Sequence, residues 1–338
     1  MNKIVSVLEN TGVIRDYIDG NRSHYLTEAE ANIDVANFVR ANSISDLLKI
    51  RNQAVNHIWK GLPPEKRLPD TVVDRTSDPR FKKLGEVKRV RELSVKMEHG
   101  LTVNVLLFET HTPKNSCLIL YHQDHNAIFL GEVGWYQKFL AAGCDVLSVP
   151  LPLTLDAGPI TVKVAGRDLE IKYHDDFKHL DNPQFLPLKF FLAPPTAALN
   201  FILKENQYDR IASVGLSGGG WLAAVLAALD NRITHAYPVA GSLPRYLSKN
   251  NRNRGDWEYS TPEFYKIANY FELYLLSAME PNRRAVHIYN RRDNCCFNGI
   301  LTAGFRLSLW GFQDVSEQEA WPSELTKRHR TMLFPKTR

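Results

Sequence analysis

The residues best suited to chemistry in this chain are Gly215-Leu216-Ser217-Gly218-Gly219-Gly220. A serine hydroxyl becomes a nucleophile when a base removes its proton and a third group holds that base in the right tautomer. Gly215 and Gly219 take the two glycine positions of G-x-S-x-G, where small residues let the chain turn sharply and lift the hydroxyl above a sheet. A glycine-rich turn can instead cradle a phosphate. A phosphate loop needs a Lys that this stretch lacks, and neither Asp209 nor Asp230 fits the acidic position of a dinucleotide fingerprint. A serine elbow requires an acid and then a base further along the chain. Asp293 follows the apolar run 284–289, and of 11 histidines only His329 lies beyond it. Asp256 and Glu258 are reserve acids. His235 and His287 fall inside strand-like runs and read as packed residues. His174 and His179 fall in a polar insertion and read as surface residues that can reach a substrate.

The elements around the serine fit that task. Residues 211–215 form a short β-branched strand. Residues 221–229 are rich in Ala and Leu and apolar all round, which predicts a buried helix. Upstream, 87–97 and 101–109 read as antiparallel strands. The runs 117–121, 144–149, 233–239 and 284–289 read as buried strands, with helices over 135–142 and 196–204. Proline begins the second of these helices at Pro194-Pro195. Buried strands alternating with helices predict an α/β fold, a mostly parallel sheet with helices on both faces.

Two insertions interrupt the main domain (85–338), at about 152–193 and 242–279. The first carries a hairpin, 160–164 with 169–173. The second carries a helical run with Phe264, Tyr265, Tyr270, Phe271 and Tyr274, suited to roofing a pocket or to ordinary packing. Residues 1–84 read as a helical extension, with a capping box at Thr27-Glu28-Ala29-Glu30, a second start at Ser43 and a stop at Pro63-Pro64.

The chain has 338 residues, a net charge of +5 and four cysteines. Its basic residues are mixed with acids, which argues against nucleic acid as a partner. Cys117, Cys144, Cys295 and Cys296 lack metal-site spacing and read as reduced, packed thiols. The amino terminus meets charge too early for a secretory signal, and no run is long enough to span a membrane. A cytoplasmic protein is expected.

The region 85–335 resembles the α/β-hydrolase superfamily, in its serine esterase-like branch, where an extra glycine, here Gly220, follows the nucleophile motif. Tyr121-His122-Gln123-Asp124-His125 is similar to that family's His-Gly loop. The resemblance implies an oxyanion hole made of the Gly218 N–H and an N–H from Asp124 or His125. Here Gln123 or Asp124 stands where a glycine is usual, and only 9 residues follow His329. What is implied is a carboxylic-ester hydrolase with Ser217, His329 and Asp293 as its triad. No metal or organic cofactor is implied, and the substrate would be a small-molecule or glycan ester. An amidase or peptidase, an acyltransferase, or a catalytically silent scaffold that binds a ligand or partner are the alternatives. The amino-terminal helices would offer a homodimer contact.

Overall fold

The structure is a computed structural model that describes residues 34–111, 116–125, 129–154, 158–164, 166–248, 255–290, 297 and 329–334. Helix α1 (Ile44–Trp59) opens the larger elements, capped by the Ser43 hydroxyl, which accepts from the Asp46 N–H. Strands β1 (Thr71–Asp74), β2 (Val87–Lys96) and β3 (Thr102–Thr110) follow as an antiparallel set. In β2, Leu93 and Val95 are buried on alternate positions, as a half-buried strand requires. Next come β4 (Cys117–His122), α2 (Phe129–Ala141) and β5 (Asp145–Val149). The first insertion holds the hairpin β6 (Ile160–Val164) and β7 (Arg167–Ile171).

Helix α3 (Lys189–Glu205) leads to β8 (Arg210–Leu216), α4 (Gly218–Leu229) and β9 (His235–Val239). The second insertion contains α5 (Arg245–Ser248), α6 (Pro262–Ile267) and α7 (Tyr270–Leu276), after which β10 (Arg284–Asn290) and β11 (His329–Phe334) complete the sheet. The nine strands lie in the order β1-β2-β3-β5-β4-β8-β9-β10-β11. From β5 to β11 every pairing is parallel. All residues of α4 are buried, and Trp221 is fully covered.

Three sequence expectations change. The segment before residue 85 contributes β1 to the sheet, and Leu47, Ala54 and Ile58 of α1 belong to the main core. Helix α3 starts at Lys189, with Pro194 and Pro195 inside it. Burial of Phe190, Phe191 and Leu192 outweighs the lost N–H donors, and the Thr196 hydroxyl donates to the Leu192 carbonyl at 2.7 Å. Cys117 and Cys144, expected as free thiols, form a disulfide with Cα atoms 4.8 Å apart. The pairing of Leu118 with Asp145 brings the two preceding cysteines side by side, a proximity that only the strand register creates.

Two guanidinium groups join the amino-terminal helix to the core. Arg51 donates to the carbonyls of Ala228 (2.9 Å) and Leu276 (2.8 Å) and pairs with Glu280 at 2.6 Å. Arg283 donates to Ile233 and Leu276 carbonyls, at 2.8 and 2.7 Å, to that of Ala227, and also to Glu280. No described helix is long and apolar enough to cross a membrane.

Candidate active site

Ser217 stands between β8 and α4 with φ 55° and ψ −118°, a left-handed backbone that L-residues adopt at a cost of about 1–3 kcal/mol. Its N–H donates to the Val239 carbonyl at 2.9 Å, and its own carbonyl accepts from Trp221 at 2.9 Å, starting the helix. The glycines around it are there for contact. A methyl group on Gly215 would come within 2.3 Å of the Gly219 carbonyl oxygen, and one on Gly219 within 2.2 Å of that of His122. This tight seat holds the serine at the carboxyl end of the parallel strands.

The loop after β4 comes up to the same place. The Gly218 N–H donates to Asp124 Oδ1 at 3.3 Å, and the His125 N–H donates to the same oxygen at 2.8 Å. Two backbone donors thus converge on one carboxylate oxygen. Burial disfavours the Asp124 charge, but hydrogen bonds from the His125 ring and backbone and from Gly218 outweigh it and lower its pKa. The His125 ring packs on Gly218, where a methyl group would fall 2.2 Å from its Cε1. A cleft of about 600 Å³, lined in part by Gln123, Ser148, Leu151 and Pro152, borders this loop.

Beyond Gly218, His125 meets both insertions. Its Nε2 lies 2.8 Å from Asp256 Oδ2, 3.3 Å from Glu258 Oε1 and 3.1 Å from His174 Nδ1. His174 Nδ1 is 3.0 Å from Glu258 Oε1, and its Nε2 is 2.8 Å from the Pro152 carbonyl. Burial works against a charged His125, yet the carboxylates of Asp124, Asp256 and Glu258 outweigh it and raise its pKa. Glu258 is fully buried, which works against its charge, and the neighbouring imidazoles lower its pKa all the same. His122, also fully buried, faces the Ser213 hydroxyl at 2.8 Å, and burial lowers its pKa to about 3. A neutral ring there is a packing element of β4.

The residues singled out from the sequence therefore divide. Ser217, Gly218, Asp124 and His125 come together. Asp293 lies outside the described residues. His329 opens β11 opposite Ala285, which pairs in turn with Ala236, itself opposite Ser213. That register puts the His329 backbone four positions before the level of Ser217, about 13 Å along the strand direction. His174, expected at the surface, is 5% exposed. It stacks on Phe177 with ring centroids 5.6 Å apart and meets the edge of Phe191 at 4.8 Å. The reserve acids Asp256 and Glu258 belong to this cluster, and only their spacing in Gly255-Asp256-Trp257-Glu258 hinted at a shared side. The aromatics of the second insertion are packed on α4, with the Tyr265 hydroxyl accepting from Trp221 Nε1 at 2.8 Å and donating to the Glu258 carbonyl at 3.0 Å.

Solved structures share this arrangement of strands and helices. Acetyl xylan esterase 1 from Thermoanaerobacterium sp. JW/SL YS485 superposes with a TM-score of 0.53 at 12% identity, over 93% of this chain and 92% of that one. An acetyl xylan esterase from Paenibacillus sp. R4 gives 0.55 at 15% identity, over 93% and 95%. Methylesterase BT1017 gives 0.54 at 16%, over 92% of this chain and 64% of the other. The chain has the α/β-hydrolase fold. No family model matches the sequence, and no curated protein matches it. In this fold the turn after β8, which carries Ser217, and the loop after β4, which carries Asp124 and His125, meet through the hydrogen bond from Gly218 to Asp124.

Proposed function

We propose that this chain is a serine hydrolase that cleaves carboxylic esters, with Ser217 as the nucleophile. The reading is carried by one observation: Ser217 sits in a left-handed turn while the N–H groups of Gly218 and His125 converge on a single oxygen beside it. An ester carbonyl placed there would be attacked by the serine oxygen. Its negative oxygen would replace Asp124 Oδ1 between the two donors, each worth a few kcal/mol in the transition state. Collapse of the tetrahedral intermediate expels the alcohol and leaves an acyl-serine, which water hydrolyses. The names of the three fold relatives point the same way, and a small-molecule or glycan-borne ester is the substrate class we assign.

Both nitrogens of His125 are engaged by carboxylates, Nδ1 by Asp124 and Nε2 by Asp256, and neither is left for the serine proton. The relay is therefore assigned to His329, oriented by Asp293. That assignment rests on chain order, and the register of β11 stands against it.

A second reading, a silent scaffold that binds a ligand or partner, is favoured by the Asp124 carboxylate on the Gly218 N–H. A fluorophosphonate probe separates the two. Labelling of the wild type that disappears in Ser217→Ala, together with ester hydrolysis, supports the enzyme. An unlabelled wild type, or hydrolysis that persists in Ser217→Ala, removes it.

A further inference from the structure

Four side chains from three distant segments converge beside the elbow: His125 from the loop after β4, His174 from the first insertion, and Asp256 and Glu258 from the second. Their facing atoms, His125 Nε2, His174 Nδ1, Asp256 Oδ2 and Glu258 Oε1, all lie within 4.8 Å of one another. Five of the separations are 2.8, 3.0, 3.1, 3.3 and 3.7 Å. A tetrahedron whose corners lie about 2.0 Å from its centre, the usual zinc–nitrogen or zinc–oxygen distance, has edges of roughly 3.3 Å.

The outer hydrogen bonds decide what these atoms are. His174 Nε2 faces the Pro152 carbonyl at 2.8 Å, so it carries the proton and leaves a lone pair on Nδ1 of the neutral ring. His125 Nδ1 faces Asp124 Oδ1 at 3.2 Å, so the neutral ring carries its proton there and leaves a lone pair on Nε2. In the metal-free site ring protons bridge these atoms; once they are released, two imidazole lone pairs and two carboxylate oxygens face one centre, where a metal cation takes the protons' place. A carbonyl or carboxylate on the outer nitrogen is also the usual support of a metal-binding histidine.

Burial adds an independent argument. Glu258 is 0% exposed, and its Oε2 has no hydrogen-bond partner among the described residues. A buried carboxylate with an unpartnered oxygen is costly unless a positive charge lies beside it. Two carboxylates and two neutral imidazoles balance one divalent ion. Two nitrogen donors argue against calcium and magnesium, and a tetrahedral nitrogen-oxygen set suits zinc.

We propose that His125, His174, Asp256 and Glu258 bind one zinc ion that ties both insertions to the loop carrying Asp124 and His125. With four protein ligands the site is closed, and its part is to position that loop against Gly218. The proposal is independent of the esterase reading, and Ser217→Ala is expected to bind zinc like the wild type.

The test uses the full chain, stripped with a chelator and titrated with zinc chloride by calorimetry, with metal content measured after dialysis. One zinc per chain is expected, with a rise in Tm on zinc addition. Asp256, 45% exposed, is the gentle position to change. Asp256→Asn is expected to fold normally and to lose at least tenfold in zinc affinity, and Glu258→Gln to lose more. Cobalt replacing zinc should give the intense visible absorption of a tetrahedral site. Absence of stoichiometric zinc in the wild type overturns the proposal, as does wild-type affinity in both variants or a weak, octahedral cobalt spectrum.

Discussion

Asp124 and Gly218 are joined by a hydrogen bond from the Gly218 N–H to Asp124 Oδ1, 3.3 Å long. On the proposed reading, a carboxylate therefore stands where Gly218 would offer its donor to a substrate. In Asp124→Asn the acceptor is neutral, and hydrogen bonds to neutral groups are roughly half as strong as those to charged ones. The second-order rate of fluorophosphonate labelling at Ser217 is expected to rise about tenfold, the equivalent of about 1.4 kcal/mol. A slower reaction would mean that Asp124 positions the loop and does not compete with substrate.

His329 and Asp293 are tested by kcat. If they relay the proton, His329→Ala and Asp293→Asn each lose several orders of magnitude in kcat with an activated ester, while KM changes little. Wild-type turnover in His329→Ala would agree with the register of β11 and take His329 out of the reaction.

Glu280 lies between Arg51 and Arg283, at 2.6 Å from each. Burial opposes its charge, but the two guanidinium groups outweigh burial and lower its pKa below 4.5. A carboxyl with a depressed folded value stabilises the fold above its unfolded pKa, and that contribution is lost as pH falls through the folded value. Its side chain is 30% exposed, so screening reduces the effect of breaking this pair to about 2 kcal/mol. Denaturant unfolding should show Glu280→Gln less stable than the wild type by that amount at pH 7. The gap should close below about pH 4. A gap that persists unchanged at acid pH would remove the ion pair as its cause.

The Cys117–Cys144 bridge closes a loop with a sequence separation of 27. Chain entropy predicts that reduction lowers stability by about 3.5 kcal/mol. Unfolding with and without reductant measures this, and alkylation followed by peptide mapping shows whether the two thiols are blocked. Their alkylation without reductant would exclude the bridge. A bridge that forms stands against the cytoplasmic location expected from sequence, because such bonds persist in oxidising compartments.

What could be read from the sequence was what neighbouring residues decide. The elbow was legible because Gly215 to Gly220, the β-branched run before them and the Ala- and Leu-rich run after them state strand, turn and helix locally. The parallel sheet followed from apolar runs such as 117–121 and 144–149. Strand β1 was not legible, since Thr71–Asp74 is exposed throughout and carries no apolar alternation. Prolines 194 and 195 misled because their helix is held by tertiary burial against local preference. His174 looked like a surface residue because its neighbours Asp175 and Asp176 are polar, while its partners Glu258 and His125 lie 84 and 49 residues away. No local pattern announces such a meeting.

Helix α4 has Gly218 at its first position, and the Ala227 and Ala228 carbonyls in its last turn are gripped by Arg283 and Arg51. A helix of this length is a rod of about 18 Å. Free carbonyls at a helix end carry partial negative charge, and cations there are favourable. The two guanidinium groups act as an axial stop: the rod cannot slide toward or away from the rim without breaking their hydrogen bonds. The height of Ser217 above the sheet is thereby held from the opposite end of α4, in part by an arginine of α1.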